Sequence, residues 1–190
     1  MLKELYERGP TTGYVFYREP TQRQCFEYYS TLKTGGSLDM PRINIRVIST
    51  LLRTFLSNLP DVLLCTSLYK EWVKLPNITV FEDRIRETKD LCAKLPKQNF
   101  KLFKYLLMIF NEVIDNSRVR KLDDKHTPSK IAIDMSHHMI WPTFPISLLP
   151  RNIDDDNEFE ETMNNLDYSR VALVTLINDS KEWLPKKFSI

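Results

Sequence analysis

A chain of 190 residues with 42% hydrophobic and 27% charged content has the balance of a globular fold with a substantial core, which excludes a disordered polypeptide. A formal net charge of +2 supplies no concentrated basic surface, so no nucleic-acid partner is expected. The three cysteines, Cys25, Cys65 and Cys92, are odd in number and lack C-x-x-C spacing; they read as reduced core residues rather than a disulfide framework or a zinc site.

Few glycines and a series of periodic segments separated by prolines predict an all-α fold with short connections. Met1 to Arg8 reads as the tail of a helix ended by Gly9-Pro10, and Gly13 to Phe16 as a loop or short extended piece. A helix is expected from about Gln22 to Lys33, terminated by Gly35-Gly36. The best-patterned segment is Val47 to Leu64, VISTLLRTFLSNLPDVLL, approached through Pro41 and closed by Pro60. Val47, Ile48, Leu51, Leu52, Phe55, Leu56 and Leu59 share one helical face there, and Arg46, Thr50, Arg53 and Ser57 share another. One face builds core; the other can meet a partner.

A two-turn helix is expected over Ser67 to Lys74, and Asn77 is a candidate cap for the next helix, which ends before Pro96. From about Asn99 to Asp115 the residues Phe103, Leu106, Leu107, Phe110, Val113 and Ile114 form a core stripe. Ser117 to Lys125 is a basic polar loop, followed by a Thr127 cap, Pro128 at the first helical position and a short helix to about His138. After a proline-containing loop from Trp141 to Pro150, Asp154 to Asp156 open a last helix reaching about Trp183. The acidic run Asp154, Asp155, Asp156, Glu158, Glu160 and Glu161 suits a solvated helix start rather than a cation site. The expected core joins the Leu51/Phe55, Phe103/Leu107/Phe110 and Leu173/Ile177 faces.

The opening residues MLKELYERG lack the apolar run of a secretory signal, and the longest apolar run, Tyr105 to Phe110, is far too short for a bilayer span. A cytoplasmic protein without a membrane segment is expected. His137 and His138 are adjacent, so on a helix they diverge by about 100 degrees and do not readily share one ion. No H-E-x-x-H, G-x-S-x-G, Walker-type or G-x-G-x-x-G motif is present, so no metal, no cofactor and no self-contained active site are expected.

The order L-L-R-T-F-L-S-N-L-P-D-V-L-L at Leu51 to Leu64 resembles a helix and loop of the Rho GTPase-activating (RhoGAP) domain family, patterned L-L-K-x-F-L-R-x-L-P-x-P-L-L. G-P-T-T-G-Y-V-F-Y-R at Gly9 to Arg18 is similar to the family's G-x-F-R loop, and S-L-Y-K-E-W at Ser67 to Trp72 to its L-Y-x-x-W/F segment. L-P-K-Q-N-F-K-L-F-K-Y-L at Leu95 to Leu106 matches L-P-x-x-N-x-x-L-x-x-L. M-I-W-P at Met139 to Pro142 resembles the end of the N-L-A-x-x-x-x-P-x-L helix. The I-W-P ending and the L-Y-x-x-W signature are nearest the subgroup of the T-cell activation Rho GTPase-activating protein. The likeness runs in consistent order from about Met1 to Trp183 and implies a single all-α helical-bundle domain of RhoGAP type over 1–190. The start inside an apparent helix, Met1-Leu2-Lys3-Glu4-Leu5, implies that the N-terminal edge of the family's domain is lacking.

The resemblance implies a module that binds the GTP-bound form of a Rho-family small GTPase in signal transduction. Family members insert an arginine finger from the G-x-F-R loop into the GTPase, and such a finger is worth about 10³ to 10⁵ in rate. The finger position here is Tyr17, with Arg18 one residue later. A neutral hydroxyl in place of a five-donor cation removes the central electrostatic element, which implies impaired or absent stimulation of GTP hydrolysis, a pseudo-GAP. The alternative is an active GTPase activator using Arg18 as a displaced finger; Arg18 also reads as an ordinary exposed arginine. The family's lysine on the partner-facing helix is matched by Arg53, its arginine four residues on by Ser57, its N-L-A asparagine by Lys130, and the proline of L-P-x-P-L-L by Val62. Arg46, Arg53, Lys130 and the loop residues Arg118, Arg120 and Lys121 form an electropositive rim in this reading, and taken singly each reads equally well as part of a solvated face.

Overall fold

The computed structural model describes residues 1–16, 22–119, 126–140 and 156–185. Among them every regular element is helical: α1 Leu2–Arg8, α2 Gln22–Lys33, α3 Ile45–Ser57, α4 Tyr69–Trp72, α5 Phe81–Lys94, α6 Lys97–Val119, α7 Pro128–Met139 and α8 Asp156–Asp179, joined in places by short 3-10 turns. The all-α expectation holds.

Local chemistry sets the boundaries. Asn44 caps α3 by accepting from the Arg46 amide at 2.9 Å, and Thr127 caps α7 by accepting from the Lys130 amide at 3.2 Å, with Pro128 opening the helix. Beyond α2, Gly35 takes φ +79°, the Gly35 amide donates to Leu32 and the Gly36 amide to Thr31, which closes the helix with a left-handed turn. A Cβ on Gly36 would lie 2.6 Å from Thr31 Cγ2 and 2.9 Å from its carbonyl oxygen, so that turn needs its second glycine as well.

Several expectations are corrected. Asn77 does not cap α5: it ends a 3-10 turn, Leu75–Asn77, and the helix opens after Val80. The two-turn helix over Ser67 to Lys74 is a 3-10 turn, Thr66–Leu68, followed by the single turn of α4. The helix expected from Asn99 begins at Lys97 and continues through Val119, so the first residues assigned to the basic loop are helical. Residues 120–125, which hold Arg120 and Lys121, and 141–155, which hold Asp154 and Asp155, lie outside the described residues, as does the side chain of Arg118.

The core gathers around α6. Phe103, Leu106, Leu107, Phe110, Val113 and Ile114 are all buried, and they meet Leu5 of α1, Leu51 and Leu52 of α3, Ile131 and Met135 of α7, and Leu173 and Ile177 of α8. Trp72 packs edge-on to Phe103 and donates its indole N–H to the Leu64 carbonyl at 2.8 Å, which satisfies its one polar group while the ring is buried. The Leu64 amide donates in turn to the Met139 carbonyl at 2.9 Å. Arg84 and Asp179 form a two-pronged ion pair, 2.6 and 3.2 Å, that ties α5 to the end of α8. Phe55, expected in the core, is 43% exposed. It lies near the C-terminal end of α3, where the buried face narrows to Leu52 and Leu56. Cys92 is buried, and Cys25 and Cys65 are half-buried.

Candidate functional site

The loop between α1 and α2 is built from its backbone inward. The hydroxyls of Thr11 and Thr12 both donate to the Arg8 carbonyl at 3.0 Å, ending α1 in a tight turn. Arg46, at the start of α3, donates from Nη2 to the Gly13 carbonyl at 2.9 Å, and His126 Nε2 lies 3.3 Å from the Thr12 carbonyl. Tyr14 then takes φ +55°, a left-handed backbone that a non-glycine residue holds only when its surroundings impose it. Val15 and Phe16 turn into the core at 1% exposure each, and the Phe16 ring stands edge-on to Phe110 with centroids 5.4 Å apart. Tyr17 and Arg18 follow directly in the chain and lie outside the described residues.

Beside this loop, Arg46, Thr50, Arg53 and Ser57 descend one face of α3 at three- and four-residue steps, as expected. Arg53 donates from Nη2 to the Thr50 hydroxyl at 3.2 Å. Helix α7 packs across this face. Ser57 Oγ sits 2.5 Å from His138 Nδ1, and the His137 and His138 rings lie 3.7 Å apart at 43°. The expectation that the two histidines diverge is therefore corrected: their Cα–Cβ bonds fan out around the helix, but the side-chain torsions bring the rings back together. Among the described residues, no group of three or more His, Cys, Asp or Glu side chains could hold a metal ion.

Electrostatics in this seam follow from burial. Burial, reinforced by His137 and Arg53, pushes the His138 imidazole down to about 3, so it is neutral at physiological pH. His137 is lowered by desolvation, Arg53 and Arg170. Burial raises the Asp134 carboxyl to about 6 against the pull of Arg53, and its Oδ2 is closed to solvent with no hydrogen-bond partner. A base held near 3 does not take a proton from serine at neutral pH, so the Ser57–His138 pair joins two helices rather than activating a nucleophile.

The structure thus brings Arg53 and Ser57 together with Asp134, His137 and His138, three residues not expected at the site. The available signal was spacing, since Lys130, Asp134 and His137 share one strip of α7. Lys130 is exposed in the first turn of that helix, where a cation is disfavoured by about 0.3–1 kcal/mol. Arg46 is half-buried, with its Nη2 on the Gly13 carbonyl. Val62, at the position where the resemblance places a proline, is buried at 4% exposure, and its amide donates to Asp61 Oδ1 at 2.8 Å.

The RhoGAP domain profile matches residues 1–144, a span that contains the 9–16 loop and both helices of the seam. This chain belongs to the RhoGAP family. The chain is similar to the human T-cell activation Rho GTPase-activating protein, 29% identical over 133 residues, covering 70% of this chain and 18% of that protein. It is also similar to rat Rho GTPase-activating protein 20, 26% identical over 166 residues, covering 87% of this chain and 13% of that protein. It spans less than a fifth of the length of these curated relatives. The RhoGAP fold recurs in the crystal structure of the BH domain from Graf, the GTPase regulator associated with focal adhesion kinase. The TM-score is 0.72 at 16% identity, over 97% of this chain and 92% of that one. The structure of human Rho GTPase activating protein 15 matches with TM-score 0.75 at 16% identity, over 96% of this chain and 80% of that one. At such identity these structures establish the fold alone. No helix among the described residues is long and apolar enough to cross a membrane.

Proposed function

We propose that residues 1–190 act as one RhoGAP-like domain that docks the GTP-bound form of a Rho-family small GTPase in cytoplasmic signalling and stimulates GTP hydrolysis weakly or not at all. Arg53 and Lys130 supply cationic contacts on the α3–α7 face, and Ser57 leaves one charge fewer there than the family pattern carries. Tyr17 occupies the finger position.

The observation that carries this reading is the anchoring of Phe16, buried against Phe110 immediately before Tyr17. For Arg18 to serve as the finger, the loop must slip by one residue and withdraw Phe16. Its burial is worth about 1.5–3 kcal/mol. The charged hydrogen bond from Arg46 to Gly13, broken in the same movement, is worth about 1.5–3 kcal/mol more. A finger contributes roughly 4–7 kcal/mol to lowering the barrier. The two ranges overlap, so slippage takes back a large part of what a displaced finger contributes.

Single-turnover GTP hydrolysis with a panel of Rho-family GTPases tests this reading. The expected result is binding to at least one GTPase loaded with a non-hydrolysable GTP analogue, little acceleration by the chain as written, and a gain on the order of 10³-fold or more in Tyr17→Arg. Strong acceleration by the unmodified chain that vanishes in Arg18→Ala would instead establish the displaced-finger activity.

A further inference from the structure

We infer that Arg46 is a positioning residue for the loop of residues 12–16 and not a contact for the GTPase; the inference rests on the docking reading above. Three observations converge on it. The Arg46 Nη2 donates to the Gly13 carbonyl at 2.9 Å, and its Nε is closed to solvent without a hydrogen-bond partner, so the guanidinium is turned into the protein. The residue after Gly13 holds a left-handed backbone at φ +55°, a conformation that costs free energy for tyrosine and needs restraint on the chain before it. The two residues after that, Val15 and Phe16, are sunk in the core.

The chain from Gly13 to Phe16 is therefore held at both ends, by a cation on its carbonyl and by aromatic packing on its side chain, with the strained residue between. Removing the cation leaves that end held only one residue earlier, where His126 and the Arg8 carbonyl meet Thr12. The restraint just before the strained Tyr14 is then lost, and the chain leaves the core from Val15 and Phe16 with a looser approach. An arginine suits this task because its planar fork delivers a donor to a carbonyl while its stem packs along α3. The consequence for the reaction is directional. Arg46 affects how the finger position is presented after docking, and it leaves the docking surface on α3 and α7 intact.

Three measurements decide the matter. In hydrogen exchange of the full chain, Arg46→Met is expected to speed backbone exchange over residues 12–16 by about tenfold or more while the core of α6 stays protected. Arg46→Lys, which keeps a shorter donor, is expected to recover part of that protection. In Tyr17→Arg, adding Arg46→Met is expected to lower the maximal hydrolysis rate at least tenfold with the half-saturating concentration of GTPase unchanged. Unaltered loop exchange in Arg46→Met overturns the inference whether or not any GTPase binds. A rise in the half-saturating concentration at constant maximal rate also overturns it, because that marks Arg46 as a docking contact. Absence of binding to every GTPase in the panel counts against the docking reading and leaves the exchange result to decide the role of Arg46 in the loop.

Discussion

The stripe of α6 and the seam between α3 and α7 lie in one bundle and obey different rules. Along α6, Phe103, Leu106, Leu107, Phe110 and Val113 are each at 0% exposure and carry no polar atom in their side chains, so volume and shape decide their contribution. Across the seam, Arg53, Ser57, Asp134 and His138 bring charge into partial burial, with a carboxylate oxygen left unsatisfied and an imidazole forced neutral. Apolar residues of similar volume would join the two helices at lower cost. The seam therefore carries a desolvation cost that the α6 stripe does not.

The sharpest break between the two regions is expected from Leu107→Asp. An ionised carboxylate without a partner at a fully buried position costs more than about 4 kcal/mol, a large share of the stability of any domain, so the cooperative thermal transition should disappear. An unchanged melting temperature would remove α6 from the centre of the core.

In the seam the opposite sign is expected from Asp134→Asn. Asp134 is held at about 6 in the folded chain against an ordinary 3.8, so the folded state binds the extra proton between those values. Its contribution to stability is complete below pH 3.8 and is lost as pH rises through 6. Replacing it with the neutral amide should therefore stabilise the protein by about 1–2 kcal/mol at pH 7.5, and the difference should close toward pH 4. His138 runs the other way: its folded value near 3 lies below the ordinary 6.5, so its contribution is complete above pH 6.5 and fades as pH falls toward 3. With Asp134 gone, nothing at the seam offsets that loss, and urea titrations of the variant should show a steeper decline between pH 6 and 4. A pH-independent difference between the two proteins would contradict the burial of Asp134.

The smallest effect is expected from Ser57→Ala, which removes the bond to His138 at an exposed edge of the seam. A loss of about 0.5–1.5 kcal/mol corresponds to a fall in melting temperature of about 2–4 °C per kcal/mol, readable by calorimetry. If binding to a GTPase analogue is unchanged in this variant, Ser57 serves the helix junction and not the partner.

The same contrast governs what the sequence disclosed. Apolar periodicity reports burial directly, so α6 and its partners Leu173 and Ile177 were legible, and local capping chemistry placed α7 at Thr127-Pro128 and closed α2 at its glycines. Local pattern is silent where a residue's fate depends on a neighbour far along the chain. Phe55 fits the apolar face of α3 but lies exposed near its end. Arg46 has the spacing of a surface cation, and only the fold brings the Gly13 carbonyl to it. Helix geometry fixes the Cβ directions of His137 and His138 and leaves their ring torsions to the packing around them. The raised Asp134 carboxyl has no sequence signature, because the cost of a carboxylate is set by what covers it.

Leu64 receives an indole donor from Trp72 on its carbonyl and offers its amide to Met139, so both of its main-chain polar groups are settled by partners outside its own segment. Met139 belongs to the last turn of α7, and the connection from α3 to α4 has no complete set of bonds until that helix arrives. The bond between Leu64 and Met139 forms only when the long loop between them closes, an entropic cost that precedes its reward. In a nascent chain emerging from the ribosome the Leu64 amide has to wait for α7 before it meets this partner.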